Sequence, residues 1–484
     1  SNFAAGVNAG NSITSGGNEN VLVGDEAGTA LTTGDDNVAI GYRALSTEDT
    51  GTRSVAIGHD ALRVQNNDST NYNVAVGFGA GEAVTTATQN TLIGGLSGDA
   101  LTSGGFNVAI GKSSLSADTQ GQTAIAVGNG ALETQNFTSS TNNYNIAIGH
   151  NAGNKVTTGI RNNLIGGLAG DALTDADYNI AIGYQALTTD TQGSRSVAIG
   201  YSALENQNFS SATDSYNTAV GYNAGNAVTT GVQNTLIGGL AGDALTDADY
   251  NVALGYASLS GDTLGSRSTA IGYGTLINQN FTSATNTNNT AVGYYAGVSI
   301  TTGTGNTLIG GEAGDNIAAG VNNTIVGYDS VTANSGHSNT IVIGANSTGK
   351  GANTGFINPN SGGVYQGNNS TAWSQTSDQR LKKNIVDSTI GLSEINQLKI
   401  RNFEYKTEDE ITELKTTDAI NKSGVQVGVI AQEIQTVLPN TVKQETTGVL
   451  SVDPNNLTWH MIKAIQELSA KNDALEARIK TLEG

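Results

Sequence analysis

One short motif, aliphatic-Ala-Ile/Val-Gly, returns nineteen times along three quarters of this chain, and that return limits the folds open to it. Its glycines run from Gly24, Gly41 and Gly58 to Gly310, Gly327 and Gly344. Most steps match that from Gly24 to Gly41, and every fourth step from Gly128 onward is longer by four positions, as from Gly128 to Gly149. The equal strides from Gly77 to Gly149, Gly221 and Gly293 define a super-repeat of four coils. A fixed period of this kind marks a solenoid, in which each unit covers its apolar face only against its neighbours.

One coil can be read directly. In Asn179-Ile180-Ala181-Ile182-Gly183, the alternation puts Ile180 and Ile182 on one face of a short strand, with Ala181 opposite. On this reading each coil buries about two aliphatic side chains, too few for one turn alone. Stability then has to come from stacking coils, and from chain against chain. The glycine permits a turn, and Asn, Asp, Ser, Thr and Gly fill the connections. At ~4.8 Å per stacked strand, nineteen coils give a rod of roughly 90 Å.

Composition agrees. Of 484 residues, 64 are glycine and 3 proline, without collagen's three-residue period. The 37% of hydrophobic residues recur in register, which argues against disorder. With no cysteine there are no disulfides or thiolate metal sites, and the four histidines are scattered; neither cofactor nor metal is expected. From Ser377 onward there are 13 basic and 16 acidic residues, which leaves 9 and 26, a balance of −17, for the first 376. Such a shaft repels nucleic acid and anionic lipid. No apolar run approaches the ~20 residues of a membrane span, so membrane insertion is not expected. The chain starts inside a repeat at Ser1, so upstream sequence is expected.

The S/N-V-A-I-G pattern resembles the head repeat of trimeric autotransporter adhesins. That resemblance implies a mainly β fold: a trimeric parallel β-roll or solenoid shaft of ~17-residue coils. The family's usual coil is shorter, so these coils carry longer loops. The four extra residues of the long coils fall beside Phe137, Phe209 and Phe281, which are either receptor contacts or packing residues, with packing favoured. Tyr42, Tyr184, Tyr201, Tyr222, Tyr256, Tyr273 and Tyr294 follow the turn glycine and are expected to form ladders. The Asp-rich segment GDALTDADYN lacks calcium-loop spacing and reads as turn chemistry.

Composition divides the chain into a repeat shaft (1–344), a connector or tip (345–376) and a Lys- and Glu-rich domain (377–484). Phe356, Tyr365 and Trp373 in the connector are candidates for receptor contact or for folding of the tip. At the boundary, Ser377-Asp378-Gln379-Arg380-Leu381-Lys382-Lys383-Asn384-Ile385 is similar to the start of the intramolecular chaperone domain of endosialidases and phage tail fibres. That domain also occurs in the myelin regulatory factor and is classed as a serine peptidase. Gly428-Val429-Ile430-Ala431-Gln432-Glu433, Val437-Leu438-Pro439 and Ala464-Ile465-Gln466-Glu467-Leu468 extend the likeness.

A serine hydroxyl is a weak nucleophile until a base takes its proton, and a desolvated lysine can be that base. The resemblance implies Ser377 as nucleophile, Lys382 as base, and a single cut in cis between Thr376 and Ser377. Lys383 competes for the base, and Asp378 has no assigned role. The resemblance implies an α+β chaperone domain, and a helix over 460–482 is predicted to end it as a short trimerising coiled coil with an a/d seam of Ile465, Leu468, Asn472, Leu475, Ile479 and Leu482.

The expectation is a homotrimeric host-attachment fibre of a virion tail, folded by a terminal chaperone that cuts itself off. Its other partners would be an upstream tail or anchor component and a host surface glycan or protein receptor. A secreted or surface-bound bacterial adhesin is the alternative. A polysaccharide-cleaving tailspike would need a unique pair of carboxylates, and none stands out.

Overall fold

The computed structural model describes residues 1–359, 363–367, 373–374, 377–414, 420, 422–445 and 448–484. It divides into two compact units, Ser1–Thr376 and Ser377–Gly484.

The first unit is a parallel β-solenoid. Three-residue strands recur once per coil, from Phe3–Ala5 to Gly355–Ile357, and form most of one 23-stranded sheet among the described residues. Equivalent motif positions pair from coil to coil: Ile180 with Val197, Ala181 with Ala198, and Ile182 with Ile199. The stack runs one strand beyond the repeat motif, so Phe356 in Gly355–Ile357 lies within it. Two antiparallel strands, Val364–Gln366 and Trp373–Ser374, follow.

The small central residue of each strand faces the interior, and the pair of flanking aliphatics does not. Ala181 is fully buried, whereas Ile180 and Ile182 are half-buried and point outward. The expected burial of the two flanking aliphatics is corrected accordingly: they face outward, the strand centre mostly offers alanine to the interior, and the larger buried side chains come from other positions of the coil.

Three interior columns explain the super-repeat. Up to Thr307–Ile309 strand centres are alanine except once per super-repeat, at Leu22, Leu92, Leu164, Leu236 and Leu308, and the last three strands are centred on Ile325, Val342 and Phe356. A second column, in left-handed backbone, holds two glycines and then two leucines, as in Gly153, Gly170, Leu187 and Leu204. The third column complements it with Val156 and Leu173 beside the glycines, then Asp190 and Gln207 beside the leucines, all buried. Core volume is kept by moving the large side chain from one column to the other.

Buried asparagines join the coils. The Asn162 amide N–H donates to Asn145 Oδ1 at 2.9 Å and that of Asn179 to Asn162 Oδ1 at 3.0 Å, while Asn179 Nδ2 reaches Gly193 O at 2.9 Å. Where the ladder has serine, a glutamine substitutes. Gln207 Nε2 donates to Ser196 Oγ at 2.8 Å and its Oε1 accepts from Asn217 Nδ2 at 2.8 Å. The turn glycine is sterically required. At Gly238, with φ 131°, a Cβ would sit 2.5 Å from the carbonyl oxygen of Gly255 in the next coil.

The second unit contains α1 (Leu392–Ile395), α2 (Ala431–Val437), α3 (Pro454–Glu483) and two small antiparallel sheets. Its apolar interior is thin: among its described residues only Ile434, Leu438 and Ala464 are buried hydrophobics. Helix α3 begins before the predicted position 460, because Asp453 accepts from Asn455 N–H at 2.9 Å as N-cap and Pro454 opens the first turn. No described helix is long and apolar enough to cross a membrane.

Candidate functional site

The chain brings Ser377 and Lys382 together through one turn of 3-10 helix, Gln379–Leu381. Asp378 caps that turn by accepting from the Arg380 amide at 2.8 Å, and the Lys382 amide closes it onto Gln379 O at 3.0 Å. The turn folds position i+5 back towards position i, and Lys382 Nζ donates to Ser377 Oγ at 2.6 Å. Asp378, without a role in the sequence reading, also pairs with Arg380 at 2.6 Å. That guanidinium holds its carboxyl below the ordinary range. Asp378 therefore fixes the turn, and among the described residues its carboxylate bonds to Arg380 and not to Ser377 Oγ or Lys382 Nζ.

Both Ser377 and Lys382 are exposed in the single chain. A lysine works as a base only after water is stripped from its ammonium. The contact supplies reach and orientation, and desolvation has to come from further packing. Thr376 lies outside the described residues.

Downstream matches to the expected motif form a small scaffold within the same unit. Ile434 of α2 and Leu438 are buried. Arg401 grips Glu433 through two nitrogens, at 2.6 and 3.1 Å. Glu467 on α3 accepts from the Leu392 amide at 2.9 Å and so ties α1 to α3.

Residues 377–443 match the family described as chaperone of endosialidase. The chain is similar to a probable tail fiber protein of Escherichia phage Phieco32, 31% identical over 112 residues, 22% of this chain and 14% of that protein. It is also similar to myelin gene regulatory factor-like A of Dictyostelium discoideum, 30% identical over 118 residues, 22% of this chain and 12% of that one. Myelin regulatory factor homolog 1 of Caenorhabditis elegans is 29% identical over 103 residues, 21% of this chain and 11% of its own length. The chain thus spans a small fraction of the curated relatives it matches. No solved structure matches it. A chaperone-of-endosialidase segment behind a β-solenoid shaft fits a phage tail fibre with an intramolecular chaperone, and families of this type are autocleaving.

The chaperone-type domain ends in the exposed distal part of α3. Ile465, Leu468, Leu475, Ile479 and Leu482 are all more than half exposed, and Asn472 is exposed among them. They form an apolar seam that stays exposed among the described residues.

The aromatic candidates of the shaft fall elsewhere. Phe137, Phe209 and Phe281 are buried, at 6%, 5% and 7% exposure. Their loops are clamped by buried acids: Asp118 Oδ1 accepts from Phe137 N–H at 3.1 Å and from Gly121 N–H at 2.9 Å, and its Oδ2 from Gln135 Nε2 at 2.6 Å. The arrangement recurs at Asp190 and Asp262. These rings pack the loop onto the rod and are not presented to a ligand. Phe356 is buried with Lys350 Nζ 4.4 Å from its ring centroid, while the side chains of Tyr365 and Trp373 lie outside what is described. The tyrosines after the turn glycine do form ladders, with Tyr184, Tyr201 and Tyr222 stacked at 5.7 and 5.5 Å.

Proposed function

We propose that this chain is a homotrimeric host-attachment fibre whose C-terminal domain aligns three shafts and then removes itself by one cut between Thr376 and Ser377. The observation that carries the cut is the 2.6 Å contact of Lys382 Nζ with Ser377 Oγ at the first residue of the family match. Ser377 Oγ attacks the carbonyl carbon of Thr376 as a neutral Lys382 takes the hydroxyl proton. The C–N bond breaks, the Ser377 nitrogen receives that proton, and an ester joins Thr376 to Ser377 Oγ. Water hydrolyses the ester to a Thr376 carboxylate and a Ser377 with free hydroxyl and amine.

The trimer reading rests on uncovered apolar surface. A unit spanning Ser377–Gly484 with so few buried apolar side chains among those described has too little core to stand alone. Exposed Val386, Ile400, Val427 and the α3 seam are what further copies would cover. The same closure would desolvate Lys382, so that cutting waits for assembly. Along the shaft, the outward valines and isoleucines are available for chain–chain packing. After the cut, Tyr365 and Trp373 at the freed end are candidate receptor contacts.

A denaturing gel tests the cut. Wild type should give two fragments, the smaller beginning at Ser377, and Ser377→Ala one chain of 49.3 kDa. Unchanged processing in Ser377→Ala would refute the nucleophile.

A further inference from the structure

We propose that a ribbon of alternating aromatic and arginine side chains along the shaft binds a linear host-surface polysaccharide with a two-sugar repeat and one carboxylate per repeat. This rests on the reading of the chain as an attachment fibre, and adds to it the site and the ligand class.

The ribbon occupies the residue before the ladder position of each coil, which is mostly asparagine, and serine after Arg53, Arg195 and Arg267. Its backbone is left-handed: φ is 60° at Tyr178, 61° at Arg195 and 51° at Tyr216. Between Tyr72 and Tyr250 every second coil there carries an aromatic residue, at Tyr72, Phe106, Tyr144, Tyr178, Tyr216 and Tyr250, with Glu19 and Asp36 before this stretch and Asn288 after it. Arg53, Arg161, Arg195 and Arg267 all fall on the intervening coils. The last coils hold Gly305, Asn322 and Asn339 at this position, residues that adopt left-handed backbone at little cost. Tyrosine and arginine bear that cost for their side chains.

The aromatic rings hold the guanidiniums in place. Arg161 lies 5.3 Å from the Tyr178 centroid and 6.0 Å from that of Tyr144, and Arg195 lies 5.4 Å and 5.7 Å from Tyr178 and Tyr216. Arg161 Nη1 donates to the Tyr178 hydroxyl at 2.6 Å. All four arginines are exposed, and among the described residues no carboxylate pairs with Arg161 or Arg267. Four of the shaft's 9 basic residues fall in this one column; Asp36 and Asp214 pair with Arg53 and Arg195, so Arg161 and Arg267 are its arginines without a carboxylate among the described residues.

Register selects the ligand. Two coils span roughly 9.6 Å, close to one disaccharide of an extended glycan. Arginines two, four and six coils apart therefore stay in phase with a two-sugar repeat. A guanidinium edge takes a carboxylate through paired N–H groups. The acidic shaft disfavours a densely charged polyanion such as nucleic acid, and tolerates one charge per two sugars.

The test is titration of purified fibre with a hyaluronan decasaccharide, which carries one carboxylate per disaccharide, beside a single-stranded DNA oligomer. The variant is Arg161→Gln/Arg195→Gln/Arg267→Gln, because Gln89 and Gln233 already occupy the column at φ 61° and 58°. The expected result is hyaluronan binding weakened at least about a hundredfold, with the assembled mass and melting of the shaft kept, and weaker DNA binding throughout. Unchanged affinity in the variant, no hyaluronan binding by wild type, or tighter binding of DNA would overturn the proposal. So would loss of the assembled mass in the variant, which would make the ribbon a chain–chain contact. Host-cell adsorption is scored separately: if it persists in wild type without hyaluronan binding, the ribbon fails and the attachment reading stands.

Discussion

Lys382 Nζ sits 2.6 Å from Ser377 Oγ, five positions away along the chain, because one capped turn of 3-10 helix separates them. Lys383, its neighbour, makes no such contact among the described residues. Lys382→Met is expected to slow cutting by about 10²–10⁴-fold, the usual share of a general base. Lys382→Arg should do the same, since a guanidinium does not give up its proton. Lys383→Met should cut normally. Band intensities over time on a denaturing gel decide it, and a cutting defect confined to Lys383→Met would move the base by one residue.

Cutting should depend on the seam of α3. Leu468→Asp/Leu475→Asp leaves Ser377 and Lys382 intact but would bury unpaired carboxylates in any chain–chain contact, at a cost of several kcal/mol. The expected product is uncut chain that fails to assemble, read on denaturing and native gels together. Full cutting in that variant would separate the chemistry from assembly.

The asparagine ladder sets the stacking strength. Asn179→Ala removes the acceptor of the Ser196 amide and the donor to Gly193 O, both buried, at roughly 2–4 kcal/mol. Because coils contact only their neighbours, hydrogen exchange should rise in the adjoining coils first. A uniform rise along the shaft would contradict nearest-neighbour stacking.

Phe137→Ala/Phe209→Ala/Phe281→Ala should destabilise the long loops by roughly 2–4 kcal/mol per site while leaving host adsorption unchanged, since the rings are buried. Lost adsorption by a fibre with unchanged melting would restore these residues as receptor contacts.

Acid should affect the two units in opposite directions. Burial pushes the Asp118, Asp190 and Glu48 carboxyls up. For an acid raised in the folded state, the stabilising contribution is full below the ordinary carboxylate value near 4 and is lost as pH climbs through the raised value. In the C-terminal unit, Arg401 beside Glu433 and Arg380 beside Asp378 hold these carboxyls down, as Ser451 and Lys443 do for Glu445. Their contribution is present above the ordinary value and fades as pH falls through the lowered one. Calorimetry of uncut Ser377→Ala chain should find the shaft at least as stable at pH 5 as at pH 7, and the other unit weakening first below about pH 4. A shaft that melts lower at pH 5 would contradict this.

The solenoid was legible because a motif glycine returning at so regular a stride admits little else, and the serine–lysine pair because its spacing came with a recognisable segment. The direction of the strand faces was not. Alternation separates Ala181 from Ile180 and Ile182, but only the width of the coil decides which side is interior. The exchange between Leu187 with Asp190 and Gly170 with Leu173 was hidden because the partners occupy different columns of the coil. The tyrosine–arginine ribbon was missed because Tyr144, Arg161 and Tyr178 become neighbours only once the register is known. Asp118 had no reading of its own, because the loop of Phe137 that it clamps belongs to the following coil.

Light scattering on fibre purified from the wild-type gene tests the account most directly. The expected particle has the mass of three chains ending at Thr376, with no residues from Ser377–Gly484 attached. A folded shaft with the mass of one chain, or an assembled particle that keeps every C-terminal domain, would contradict it.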